Sequence, residues 1–401
     1  MSVMDQILDG TITLEPSTKG SMNIVFTGDF YPGGYCEDLC RNGKYGDIYH
    51  NSLPVLKGSD IAVVNLESPL TTGHHPIEKD GPHLSADPIC VNALPYAGFN
   101  VAALANNHIL DHGMQGVRDT IAHCNEAGIK TVGAGLNQRE AEQPLIIEVN
   151  STKIGFLNVT ENEFSIAKGD NPGANGLDLV SNYYQIMKLK KEADVIILII
   201  HGGNELFPLP NPRMVSTYRF FADLGVTAII GHHSHCASGF EVYNGVPIFY
   251  SLGNFIFESG DEPSDMWNNG YMVKLSVSRN SVSKISLYPY EQFKSKVGIN
   301  LLDGQERIAF LRKIKEYSII IQDSELLLES WDKFCNSNEG FYISSLFGLN
   351  KVARALVRRG IGKNLFIRNK ALIRLLNQIR CEAHREASMY ILQSNINRRK
   401  C

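Results

Sequence analysis

The sequence predicts an α/β fold built on parallel strands, and three observations predict it. Short β-branched runs alternate with segments of helical spacing from residue 22 to about residue 290, which is the signature of strand–helix–strand units. The runs are apolar throughout rather than alternating, as strands covered on both faces are. Five of them end directly in residues with oxygen or nitrogen donors, and in α/β folds the carboxyl ends of parallel strands open on one crevice.

The strands, in order, are Met22–Gly28, Asp60–Asn65, Asn100–Ala105, Lys153–Thr160, Asp194–Ile200, Val226–Ile230 and Pro247–Ser251. Helical spacing is read over Met114–Ala127, Tyr183–Ala193 and Pro212–Leu224, with Gly128 and Gly225 as C-terminal caps of the first and last. Tyr271–Ser278 and Ser283–Pro289 form an expected closing antiparallel hairpin. From about Gln305 the pattern turns helical and basic, so residues 1–300 are expected to form the α/β domain and residues 301–401 a helical extension.

Composition narrows the function. The 401 residues allow two or three domains, and 43% hydrophobic with 20% charged content excludes wholesale disorder or a collagen-like repeat. A net charge of −4 argues against a dedicated nucleic-acid binder. That average hides an asymmetry. Residues 351–401 carry 13 Lys and Arg against Glu382 and Glu386 only, a net +11, which leaves −15 on the rest. Eight cysteines without a CxxC pair read as reduced, packed thiols, and the Cys36-x-x-x-Cys40 spacing is a weak metal signal. The N-terminal segment has no basic start followed by an apolar run. The longest apolar stretch, Val195 to Ile200, falls far short of the roughly 20 residues of a membrane span. A cytoplasmic location is expected.

The donors at the strand ends are the informative feature. They are Asp29; Asn65 and Glu67; Asn106, Asn107 and His108 with Asp111; His201 with Glu205; and His232, His233 and His235. Singly, each has a plainer reading: an Asp after a strand is usually a turn residue, and a lone His is usually a surface or core residue. Six of the twelve histidines (His108, His112, His201, His232, His233 and His235) fall in or beside these clusters, however. Their convergence predicts a mixed oxygen and nitrogen site for Mn, Fe, Zn or Co rather than a thiolate site. Glu67 can bridge two ions there, and His201, His233 and His235 supply neutral nitrogens. His74 and His75, in a Gly/Pro-flanked loop, are expected to cover the cleft. No GxSxG, GxxxxGK[ST] or GxGxxG motif is present, which turns the reading away from serine hydrolase, P-loop and dinucleotide chemistry.

Four motifs resemble a known family. Asn65-Leu66-Glu67-Ser68-Pro69-Leu70-Thr71, Ala103-Leu104-Ala105-Asn106-Asn107-His108 with Asp111 and Gly113, Gly231-His232-His233-Ser234-His235, and Tyr250 to Phe257 resemble the poly-γ-glutamate capsule biosynthesis (CapA) proteins. Those proteins are themselves similar to calcineurin-like metallophosphoesterases. The resemblance spans about residues 22–258 and implies a four-layer α/β/β/α sandwich of metallophosphoesterase type. It further implies that Asp29, Glu67, Asn107, His201, His233 and His235 hold one or two divalent ions (Mn, Fe or Zn). His108 then protonates a leaving group or holds an oxyanion, and Glu205 orients a ligand or meets substrate. The metallophosphoesterase pattern has a His two residues after the first Asp; here Tyr31 stands there. The implied activity is hydrolysis of a phosphoester, a γ-glutamyl amide or a capsular intermediate. The rival reading is a non-catalytic accessory protein that binds a polyanionic polymer or a synthetase. The basic tail, with Val352, Leu356, Leu365, Leu372, Leu375, Leu376, Ile379 and Ile391 at roughly helical spacing, is expected to pack as helices with a solvated basic face. Its alternative role is docking at the inner membrane surface or on a synthetase.

Overall fold

The computed structural model describes residues 3–16, 21–258, 264–278, 280–293, 296–359 and 369–398. The chain forms two compact units, divided in sequence between Leu328 and Glu329.

Two sheets carry the first unit. In the larger, of nine strands, Met22–Tyr31, Ile61–Leu66, Val101–Ala103 and Lys130–Val132 run parallel in that order. The hairpin Asn269–Ser278 and Ser281–Gln292 pairs antiparallel with the start of Met22–Tyr31, while Asn254–Phe257 pairs in parallel with its end. The smaller sheet has four parallel strands, Thr152–Thr160, Val195–His201, Ala228–His232 and Val246–Phe249. Antiparallel strands Leu145–Val149 and Phe240–Tyr243 form its edges.

Because side chains alternate along a strand, each sheet offers two apolar faces to cover. Ile24, Phe26, Val63 and Ala103 of the larger sheet share one buried cluster with Ile154, Phe156, Ile197, Ile199 and Ile230 of the smaller. These are the inner faces. The alternate residues Val25, Ala62, Val64, Leu66 and Ala102 pack instead with Leu39, Ile48, Leu56, Leu94 and Val117 of the helical segments between residues 35 and 126. Outside the smaller sheet lie helices Leu179–Leu189 and Pro212–Asp223, with Ile186, Leu189, Met214 and Phe221 buried. The architecture is a four-layer α/β/β/α sandwich.

Two details differ from the sequence expectation. The first strand runs three residues past Gly28, to Tyr31, so Asp29 lies within it. Gly28 permits this, since a Cβ there would sit 1.8 Å from the Gly253 carbonyl oxygen. That oxygen accepts a hydrogen bond from the Asp29 N–H at 3.0 Å. Helix Gly304–Gln322 also joins the sandwich, burying Phe310, Leu311 and Ile314 in the inner cluster. The compact unit therefore extends beyond the change of composition near residue 300.

The second unit contains helices Lys351–Arg358, Asn369–Arg380 and Glu382–Arg398. Gly360, Gly362, Lys363, Leu365, Arg368, Arg399 and Lys400 lie outside the described residues. No helix among the described residues is long and apolar enough to cross a membrane.

Candidate metal centre

The carboxyl ends of both sheets' parallel strands meet at one buried cluster. Asp29 comes from the first strand of the larger sheet and Glu67 from just past the second. His201 ends one strand of the smaller sheet, and His233 and His235 follow its neighbour. His233 and His235 hold left-handed backbone, with φ of 92° and 54°. Such conformations cost about 1–3 kcal/mol each and persist where surrounding structure enforces them. Here they let both imidazoles turn inward from one short loop.

The distances join these residues into a single site. His201 Nε2 lies 3.4 Å from Glu67 Oε1, 3.1 Å from Asn107 Oδ1 and 3.1 Å from His233 Nδ1. His235 Nε2 lies 3.6 Å from the same Glu67 oxygen, and its Nδ1 lies 3.5 Å from Asp29 Oδ2. Two donor triads result, Glu67 with His201 and His233, and Asp29 with Glu67 and His235; within each, the donor atoms lie within 4.8 Å of one another. Glu67 belongs to both. It is fully buried, and neither carboxylate oxygen has a hydrogen-bond partner among the described residues. A buried carboxylate with both oxygens unsatisfied is costly unless a cation completes it. The donor set of carboxylates, imidazoles and an amide oxygen suits a divalent ion.

Burial and mutual charge set the protonation of this cluster. Burial opposes ionisation of Asp29, but hydrogen bonds with His232 and His235 outweigh it and hold the carboxyl well below its usual range. Burial, with Asp29 nearby, pushes Glu67 well above its own. Burial and the neighbouring His233 keep His201 well below the ordinary imidazole value; burial and His235 take His233 down to about 3. His235 goes the other way. Burial disfavours its charge, yet Glu67 and Asp29 overcome this and raise it to about 10.

Around the cluster lie residues that the strand-end pattern does not single out as site residues. His235 Nδ1 donates to Asn254 Oδ1 at 2.8 Å, turning Nε2 toward Glu67. The Asn254 amide donates to the carbonyls of His235 and Trp267, which settles its own orientation. Asn65 Nδ2 donates to Asp29 Oδ1 at 2.8 Å, and His232 Nδ1 lies 3.0 Å from the same oxygen. Asn254 and Asn65 stand in the motifs that carry the family resemblance, though nothing in the sequence assigns them this orienting role; Lys79 stands in none of them. It comes from the loop at residues 72–86, its side chain is only 4% exposed, and it pairs with Asp111.

His108 sits beside this pair, with Nδ1 2.6 Å from Asp111 Oδ2 and 3.2 Å from Lys79 Nζ. Asp111 thus occupies Nδ1 and leaves Nε2 as the free nitrogen. Burial lowers the His108 pKa against the pull of Asp111. Asn106 does not turn toward the cluster: its amide donates to the Leu66 carbonyl and its Oδ1 accepts from the His108 N–H. Glu205 is exposed on the loop after His201, and its charge helps raise Glu67 and Glu163. Glu163 Oε1 lies 3.9 Å from His233 Nε2. Tyr31 packs its ring on Phe257 at 5.1 Å, and Phe257 in turn lies 4.9 Å from the His235 ring.

A two-sheet α/β sandwich with a buried His and carboxylate cluster at the joined strand ends defines a class of protein whose donor set is compatible with a divalent cation. Residues 23–259 match the model of the family described as bacterial capsule synthesis protein PGA_cap, and the chain belongs to that family. The PGA biosynthesis protein CapA of Bacillus subtilis (strain 168) is 29% identical over 319 residues, which are 77% of this chain and 82% of that protein. The capsule biosynthesis protein CapA of Bacillus anthracis is 32% identical over 249 residues, 60% of either chain. The "Probable polyglutamine synthesis accessory protein Rv0574c" of Mycobacterium tuberculosis (strain ATCC 25618 / H37Rv) is 30% identical over 227 residues, 51% of this chain and 58% of that one.

Proposed function

We propose that this protein is a metal-dependent hydrolase acting in the production or processing of a bacterial surface polymer. The observation that carries the reading is Glu67, a fully buried carboxylate shared by two donor triads, with neither oxygen hydrogen-bonded among the described residues. Asp29, Glu67, Asn107, His201, His233 and His235 would hold one or two divalent ions, of the Mn, Fe or Zn kind. Bound there, such ions supply Lewis-acid polarisation of a phosphoryl or carbonyl oxygen and a water of lowered pKa. The chain's own residues do the rest. Asn254, Asn65 and His232 orient the ligands, as partners beyond the metal generally do. Asp111 holds His108 so that Nε2 can pass a proton to a leaving group. Lys79 offsets the charge of Asp111 and offers an ammonium to an anionic substrate. Glu205 is assigned to the rim, where it would meet substrate. A phosphoester, a γ-glutamyl amide and a capsular intermediate each suit this arrangement.

A second reading has its own observation. Tyr31 takes the position where the metallophosphoesterase pattern has a ligand His, and it packs on Phe257. This favours an accessory protein that binds a polyanion or a synthetase without turnover, in line with the name of the mycobacterial relative. Metal analysis of the purified protein, with assays of a generic phosphodiester and a γ-glutamyl peptide, separates the two. Stoichiometric metal and turnover that His233→Ala abolishes support the hydrolase. A protein that takes up no added metal and turns over neither substrate is the accessory one.

A further inference from the structure

The second unit carries a feature that the metal centre does not use. On helix Asn369–Arg380, at 3.6 residues per turn, Ala371, Leu372, Ile373, Leu375, Leu376 and Ile379 fill one half of the surface. Lys370, Arg374, Asn377 and Gln378 fill the other, and the terminal residues Asn369 and Arg380 fall on the apolar side. Ile373 is 61% exposed, Leu376 53% and Ile379 45%, whereas Ala371, Leu372 and Leu375 are partly covered. The next helix, Glu382–Arg398, follows after Cys381 alone and exposes Met389, Tyr390, Ile391 and Leu392 in succession. Met389 to Leu392 are consecutive and so point all round their helix, whereas Ile373, Leu376 and Ile379, three residues apart, share one side. Isolated exposed apolar residues are ordinary, but a contiguous patch marks a surface with a partner.

Charge restricts that partner. Helix Asn369–Arg380 carries Lys370, Arg374 and Arg380 and no acidic residue, so two copies of this face would repel each other. A soluble anionic polymer would satisfy the basic residues and leave the leucines and isoleucines wet. An anionic bilayer surface meets both demands, because headgroups take the Lys and Arg while the acyl boundary takes the apolar half. We infer that helix Asn369–Arg380 docks this protein peripherally on an anionic lipid surface. No span is involved, and the inference is independent of catalysis.

Co-sedimentation of the full-length protein with vesicles tests it. Vesicles of phosphatidylcholine with phosphatidylglycerol should bring the protein down at low salt, and phosphatidylcholine alone should not. Ile373→Asp with Leu376→Asp should weaken binding at least about tenfold, because apolar insertion and charge act together. Lys370→Glu with Arg374→Glu should do the same and should remove the salt dependence. All these positions are exposed, and unchanged helical circular dichroism of the full-length protein shows that the variants' second unit is folded. Wild-type protein left in the supernatant with anionic vesicles at low salt overturns the inference. So does an apolar variant that binds like wild type, since charge alone would then explain attachment. A wild-type dimer that the apolar variant dissociates would instead make this face a contact between two copies.

Discussion

Asn254 accepts the Nδ1 proton of His235 and so decides which of its nitrogens faces Glu67. Asn254→Ala frees the ring to rotate while leaving every ligand in place. Metal affinity, read by calorimetric titration, should fall about 10–100-fold, the usual cost of losing an orienting partner. An unchanged affinity would mean that packing by Phe257 and Trp267 holds the ring alone. His235 also dictates the pH dependence. Its pKa stands near 10 in the metal-free protein, so at neutral pH it carries a proton that a cation must displace. Glu67, pushed upward by burial and Asp29, adds to this. Metal binding should therefore release protons at pH 7 and weaken as pH falls. Titrations in buffers of different ionisation enthalpy measure that release, and a value of zero would contradict the assigned protonation.

At the scale of elements, the site depends on a close approach between the strand carrying Asp29 and the segment preceding Asn254. Gly28 has no room for a methyl group, since its Cβ would meet the Gly253 backbone. Gly28→Ala must push these segments apart and stretch the 3.0 Å hydrogen bond from Asp29 N–H to the Gly253 carbonyl. Overpacking of this kind typically costs about 1–3 kcal/mol, and the same shift displaces Asp29 relative to Asn254. The expected outcome is a lowered denaturation midpoint together with weakened metal binding. Loss of stability alone would show that the site tolerates the movement.

Across the whole molecule, a cation held by ligands from both sheets should lock the sandwich. A ligand at about a hundred times its Kd stabilises the folded state by about 2.7 kcal/mol. For a unit of this size that raises the melting temperature by about 4 °C. Saturating Mn or Zn should produce the shift, a chelator should reverse it, and His233→Ala should abolish it. A melting temperature indifferent to metal would count against any site shared between the sheets.

The sequence by itself determined the succession of strands along the chain, the α/β class and the candidate donors at the strand ends. Fully covered strands need continuous apolar runs, and a metal site built at their carboxyl ends leaves its donors directly after those runs. Asp29, Glu67, Asn107, His201, His233 and His235 are legible for that reason, and the structure brings all six together. Only the tertiary structure decided which donors join Glu67 in each triad, that Asn254 aims His235, and that Lys79 lies buried against Asp111. The two triads exist because the sheets stack face to face, which no local pattern encodes. Lys79 sits in a loop of no regular period, 32 residues from its partner along the chain. Its burial follows from the fold of that loop over His108, a contact made in space between residues that sequence spacing does not relate.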